Sequence, residues 1–181
     1  MLRGALQLRV ADHDRALSTA EVSLIPVGTY HEGGALAPSR VFEINCPRDM
    51  DNLYEPELGE RSTSYPPPGR LARHADGHEV GSPHVTWSAL DGVAAGPGVV
   101  TRTVMGDRVT VSHVTLEPGG VSNWSTADEE LVQVVGGAVR LRVGAEEREV
   151  DDAWVAAISA QSSCEVRSSS GAALLRVQLA E

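Results

Sequence analysis

Six histidines and two cysteines are the residues of this 181-residue chain best suited to hold a metal or attack a substrate. His74, His78 and His84 with Glu79 form an H-x3-H-E-x4-H run, which would ligate zinc if wound into a helix. Gly77, Gly81 and Pro83 interrupt the run and argue for a solvated loop instead. Cys46 and Cys164 lack zinc spacing and are too few for a disulfide framework, so both read as free thiols. A thiol becomes a nucleophile only beside a base or a positive group that lowers its pKa. Without such a neighbour, Cys164 is a small buried residue. His113 alternates with Val114 and Leu116 and so points away from the face those two bury, toward a surface or an interface. By the same alternation Trp154 stands opposite Val155 and Ala157, as a packing surface for another domain or subunit. His13 falls in the turn-like ADHD and reads as solvated.

The elements that must position these residues are strands. Apolar and polar residues alternate over 5–10, 21–26, 39–44, 99–104, 108–116, 130–135, 138–143 and 173–179, with turn residues between. No segment of a dozen residues carries a helical period. The chain therefore reads as all-β, with short antiparallel strands at the spacing of a sandwich or barrel.

Residues 4–32 recur without a gap at 137–165. Matches fall at Gly4/Gly137, Leu8/Leu141, Val10/Val143, Arg15/Arg148, Ala20/Ala153, Val22/Val155, Ile25/Ile158 and Glu32/Glu165. One fold unit is expected twice. The second copy has strand-like sequence on both sides, and the first begins at Met1, so the first unit is expected to be incomplete. Between the copies, residues 47–83 are rich in Pro, Gly and charge and read as a long connection, extended at Pro66–Pro68.

Fifteen basic residues, all Arg, against 25 acidic ones give a net charge of −10. That balance offers no basic footprint for nucleic acid or anionic lipid, and favours a neutral or cationic small molecule or another protein as partner. No apolar run approaches a membrane span and no signal-like segment opens the chain, so no membrane association and a cytoplasmic location are the default expectations.

The pattern of strand, turn and P-x-G in the first copy resembles the cupin superfamily. Its second motif, G-x5-P-x-G-x2-H-x3-N, finds Pro26, Gly28 and His31 at the required spacing, with Ala20 in place of the opening Gly and Ala35 in place of the Asn. Pro26 and Gly28 suit a tight turn, since Pro presets φ and Gly tolerates positive φ. The first motif, G-x5-H-x-H-x3,4-E-x6-G, is answered in the second copy by Glu130 and Gly137 but by neither histidine. Trp124 and Thr126, or Ser125 and Ala127, stand at those places. In the second motif of that copy Ser159 and Gln161 stand at P-x-G, and Cys164 at the histidine.

The resemblance implies an RmlC-like jelly roll, an antiparallel double-stranded β-helix, as one full barrel plus a half barrel. Residues 1–46 are then the C-terminal half of a cupin barrel, 47–83 a linker, and 84–181 a complete barrel with degenerate metal motifs, the arrangement of a bicupin. A divalent metal in such a barrel takes about three His and a carboxylate. Glu130 and Cys164 alone are too few, so no cofactor is expected in the C-terminal barrel. Trp124, Thr126, Glu130, Ser162 and Cys164 should remain neighbours at the mouth of any ligand pocket. His31, aimed inward by its turn, is the candidate catalytic and metal-ligating residue of the first barrel, but only if residues outside this chain complete the site. Two functions follow as expectations. One is a small-molecule enzyme such as an isomerase, cyclase or dioxygenase, with chemistry at His31. The other is a noncatalytic module for ligand binding or assembly. In either case the exposed half barrel favours a homo-oligomer or docking on the C-terminal barrel.

Overall fold

The computed structural model describes residues 3–26, 29–44, 73–106, 108–152 and 154–179. Most of the expected connection lies outside the described residues, as do Gly28 and Cys46. Apart from one 3-10 turn at Trp87–Ala89, all regular structure among the described residues is β. None of it is a helix long and apolar enough to cross a membrane.

The first repeat supplies β1 (Leu6–Val10), β2 (His13–Leu17), β3 (Val22–Ser23) and β4 (His31–Ala35). β1, β2 and β4 form an antiparallel sheet in the order β2-β1-β4. Next come β5 (Arg73–His74) and β6 (His84–Val85), the latter pairing back onto β3. The remaining strands are β7 (Val93–Gly96), β8 (Val99–Met105), β9 (Val109–Leu116), β10 (Val121–Ser125), β11 (Glu130–Val143), β12 (Glu146–Asp151), β13 (Val155–Ile158), β14 (Ser163–Arg167) and β15 (Ala172–Leu179). The run 39–44 contributes only an isolated bridge from Arg40 to Arg3 rather than a strand.

The long strand β11 belongs to two sheets. Its first part lies between β13 and β15, and the ladder continues through β9 and β8 to β5, with β7 also on β8. Its second part lies between β12 and β14, and β14 carries β10. The switch is a bulge. The register slips between Val134 and Gly136, and Gly137 takes φ 76°. One extra residue inverts the side-chain parity. Val132 and Val134 face the core before the bulge, and Val139 and Leu141 after it. A Cβ on Gly137 would run into the carbonyl oxygen of Gly171, so the position needs glycine.

The sequence repeat is also a structural one, residue for residue. In the first copy Leu6 pairs with Leu17 and Val10 with both His13 and His31. In the second, Val139 pairs with Val150 and Val143 with both Glu146 and Cys164. Each pair is displaced by the same 133 positions as the aligned sequence. Gly4 repeats the conformation of Gly137 at φ 91°, and its Cβ would strike the carbonyl oxygen of Pro38, the counterpart of Gly171.

Two apolar layers hold the barrel. Val99, Val114, Leu116, Val132, Val134, Val139, Leu141, Ile158, Cys164, Val166 and Leu174 fill the space between its sheets. On the outer face of the larger sheet a second cluster forms from Val85, Trp87, Leu90, Val104, Val111, Val135, Leu175 and Val177. Ala20, Val22, Leu24 and Ile44 of the first copy pack against that outer cluster. The first copy is thus docked on the C-terminal barrel, one of the covers its apolar face called for. Val22 and Leu24 are half-buried there, so each adds only part of the roughly 1.5–3 kcal/mol that full burial of such a side chain contributes.

Two further expectations are corrected. Trp154 packs against the inner cluster rather than outward, because it lies in the turn before β13, where its N–H donates to the Asp151 carbonyl and strand alternation does not extend. His84 is buried in β6 rather than solvated, since pairing with β3 draws it beneath the first copy.

Candidate functional site

The residues singled out in the C-terminal barrel do converge. β10 and β14 set Trp124 directly beside Cys164, and both side chains face the core. Thr126 continues from β10 into a turn against Ser162: its N–H donates to the Ser162 carbonyl at 2.9 Å, and its hydroxyl accepts the Ser162 N–H at 2.9 Å and donates to the Ser159 carbonyl at 2.8 Å. Glu130 opens β11 opposite Gln178 of β15.

At the centre lies a residue the motifs did not point to. Arg176 of β15 shares the inward face with Leu174 and Gln178. Its Nε and Nη2 donate to the two oxygens of Glu130, at 2.5 and 2.8 Å, and Gln178 Nε2 donates to Glu130 at 3.1 Å. The Glu130 side chain is 0% exposed and that of Arg176 18%. The guanidinium carbon also stands 4.5 Å from the Trp124 ring centroid, a cation–π contact. The Trp124 indole N–H is buried with no acceptor among the described residues.

This donor set does not fit a divalent metal. Both oxygens of the one carboxylate already accept from a guanidinium, whose positive charge also repels a cation. Burial, then the Glu130 charge, push the Cys164 thiol above its ordinary pKa against the smaller opposing pull of Arg176, so it is held as the thiol rather than the metal-binding thiolate. Trp124 has only a donor, and Thr126 is engaged with backbone groups. The raised pKa also argues against Cys164 as a nucleophile.

The histidines lie elsewhere. His31 shares its register position with Cys164, but the whole of β4 is exposed, so the inward aim expected of its turn is not realised. Its Nδ1 lies 3.3 Å from the Thr29 carbonyl. Among the described residues no three His, Cys, Asp or Glu side chains come together as a metal cluster. His113 does point away from the inner face, yet it is only 9% exposed because Trp87 stacks on it at 5.1 Å. Burial lowers its pKa to about 4.

A second polar group joins the first copy to the barrel. Ser23 and His84 are cross-strand partners, with Ser23 Oγ 2.7 Å from His84 Nδ1 and His84 Nε2 3.2 Å from the His13 carbonyl. A carbonyl only accepts, so Nε2 carries the proton and Nδ1 accepts from the Ser23 hydroxyl. Burial holds the His84 pKa below its ordinary value and keeps it neutral. Beside it, Arg15 donates to Thr86 Oγ1 at 2.6 Å and to Glu21 at 2.5 Å. A cleft of about 280 Å3 opens here between Arg15, His74, Ser82, His84, Thr86 and Leu90.

Two antiparallel sheets share the bent β11 and enclose one apolar core. The fold is an antiparallel β-barrel of jelly-roll type. No protein-family profile matches this chain, and no curated protein does. Solved structures similar to it include an RmlC-like cupin from Shewanella frigidimarina, at 9% identity and TM-score 0.49, covering 54% of this chain and 89% of that one. A cupin-2 domain from Rhodospirillum rubrum matches at 17% identity and TM-score 0.47, over 54% of this chain and 74% of its own. KdgF from Halomonas sp. matches at 14% identity and TM-score 0.45, over 50% and 86%.

Proposed function

We propose that this chain is a cytoplasmic cupin-fold module that works without a metal centre, binding a small uncharged molecule at the Trp124 end of its C-terminal barrel rather than catalysing a metal-dependent reaction. The observation that carries this reading is the pairing of Glu130 with Arg176 and Gln178: the carboxylate where the family's metal ligand belongs has its charge balanced by a guanidinium. With that charge neutralised internally, the barrel offers a ligand no net charge to pair with. The buried indole N–H of Trp124 calls for an acceptor atom, and Thr126, Ser162 and Cys164 border the same end. An uncharged molecule bearing a carbonyl or hydroxyl oxygen suits this combination.

Thermal unfolding of the full chain with chelator, and with Mn, Fe(II), Ni or Zn, tests the reading. A metal present at a hundred times its dissociation constant adds about 2.7 kcal/mol to the folded state, equivalent to roughly 5–10 °C in a chain of this size. The expected result is an unchanged midpoint in every case. A rise with one metal, reversed by chelator and absent in Glu130→Gln, would overturn it.

A further inference from the structure

We propose that the chain forms a twofold dimer by pairing the free edge of β4 with the same edge of a second copy, so that the two three-stranded sheets become one. The structural repeat shows what that edge is for. β14, the counterpart of β4, has β11 on one side and β10 on the other, paired through Val121 to Ser125. β4 has β1 on one side, and among the described residues no strand on the other. In the barrel this edge is completed by a strand, and in the first copy no described strand occupies it.

The residues of β4 are matched to one another in a single antiparallel register. Ala11 donates to the Tyr30 carbonyl and Leu36 to the Ala5 carbonyl, both at 2.9 Å, so the even-numbered residues bond inward to β1. Alternation then turns the N–H and C=O of His31, Gly33 and Ala35 outward. A twofold axis at Gly33 pairs those outward groups: Gly33 with its own copy, and His31 with Ala35 of the second copy. The same axis sets Glu32 against glycine 34 rather than against another carboxylate. At the two ends it brings Tyr30 onto leucine 36, side chains that are 51% and 60% exposed in the single chain. Unpaired edges are ordinarily guarded by Lys, Pro, a bulge or an unpartnered charge. β4 has no Lys or Pro and pairs with β1 without a register slip, and the Glu32 carboxylate is already taken by Arg9 at 3.2 Å and the Tyr30 hydroxyl at 3.1 Å. Two such edges meeting through identical surfaces give a closed isologous pair rather than a fibre.

Sedimentation equilibrium of the full chain tests both the partner and the register. Gly34 has an ordinary φ and open space where a Cβ would stand, so it accepts a side chain without strain. In the proposed register Gly34→Glu faces Glu32 of the second copy twice over, and Gly34→Lys gives it an opposite charge twice over. The expected result is a dimer that Gly34→Glu weakens roughly tenfold and Gly34→Lys tightens, with unchanged circular dichroism. A monomer throughout would overturn the proposal. So would a dimer indifferent to both substitutions, or slow amide exchange at Gly33 and Ala35 in a monomer, which would mean that the chain covers this edge itself.

Discussion

Arg176 holds both carboxylate oxygens of Glu130 inside the C-terminal barrel, at the point where the cupin motif would place a metal ligand. A cation still answers the carboxylate there, but it is covalently part of β15. Two charges at that depth tolerate joint replacement far better than the loss of one partner.

Arg176→Met should therefore cost about 3–5 kcal/mol, because it strands the buried Glu130 carboxylate. Glu130→Leu with Arg176→Met should recover most of that loss. Urea unfolding of the three chains checks this. A single Arg176→Met variant as stable as the parent would mean that the pair is not buried as described.

Cys164 should resist thiol reagents at neutral pH. It is 2% exposed, and burial beside Glu130 raises its pKa. Alkylation followed by peptide mass spectrometry is expected to leave Cys164 unmodified in the folded chain and label it fully in denaturant. Rapid native labelling would indicate an activated thiol.

Burial of His113 against Trp87 implies a pH dependence of known sign. Its folded pKa of about 4 lies below the ordinary 6.5, so above pH 6.5 the ring is neutral in both states and the contribution is fully present. As pH falls from 6.5 to 4 the unfolded chain takes up a proton that the folded chain refuses, and about 3 kcal/mol of stability is lost. Below 4 the loss levels off. His113→Phe keeps the stacked ring, removes an unpartnered buried Nδ1, and should flatten this part of the profile in denaturant titrations between pH 4 and 7.

Two residues adopt left-handed backbone where the cupin motif has glycine. Ala20, at the motif's opening Gly, has φ 68°, and Gln161, at the Gly of P-x-G in the second copy, has φ 59°. Left-handed backbone costs a residue with a Cβ roughly 1–2 kcal/mol, and glycine gives back part of that as unfolded-state entropy. Ala20→Gly and Gln161→Gly should each be neutral or stabilising by up to about 1 kcal/mol in thermal melts. A loss above 1 kcal/mol at either would contradict the backbone assignment.

Much of this architecture was legible in the residues themselves. Seven of the eight alternating runs are strands, and the repeat of 4–32 at 137–165 carries through to matching registers and matching glycines. The neighbours of Cys164 followed from motif spacing. Arg176 did not, for a physical reason. In β15 the residues Ala173, Leu175, Val177 and Leu179 make an apolar face, and alternation alone sends Arg176 and Gln178 to solvent. Both faces of β15 are covered, one by the barrel interior and the other by the region where the first copy docks, so a single-face reading assigns the wrong one. The burial of His84 is not legible in the sequence for a related reason: it depends on β3, sixty-one residues away.

Arg176, rather than a metal, is proposed to answer Glu130. Elemental analysis of the full chain, expressed with Mn, Fe, Ni and Zn supplied and then dialysed, tests it most directly. The expected result is well under one metal per chain, and the same trace content in the parent and in Glu130→Gln. One metal per chain in the parent, lost in Glu130→Gln, would contradict it.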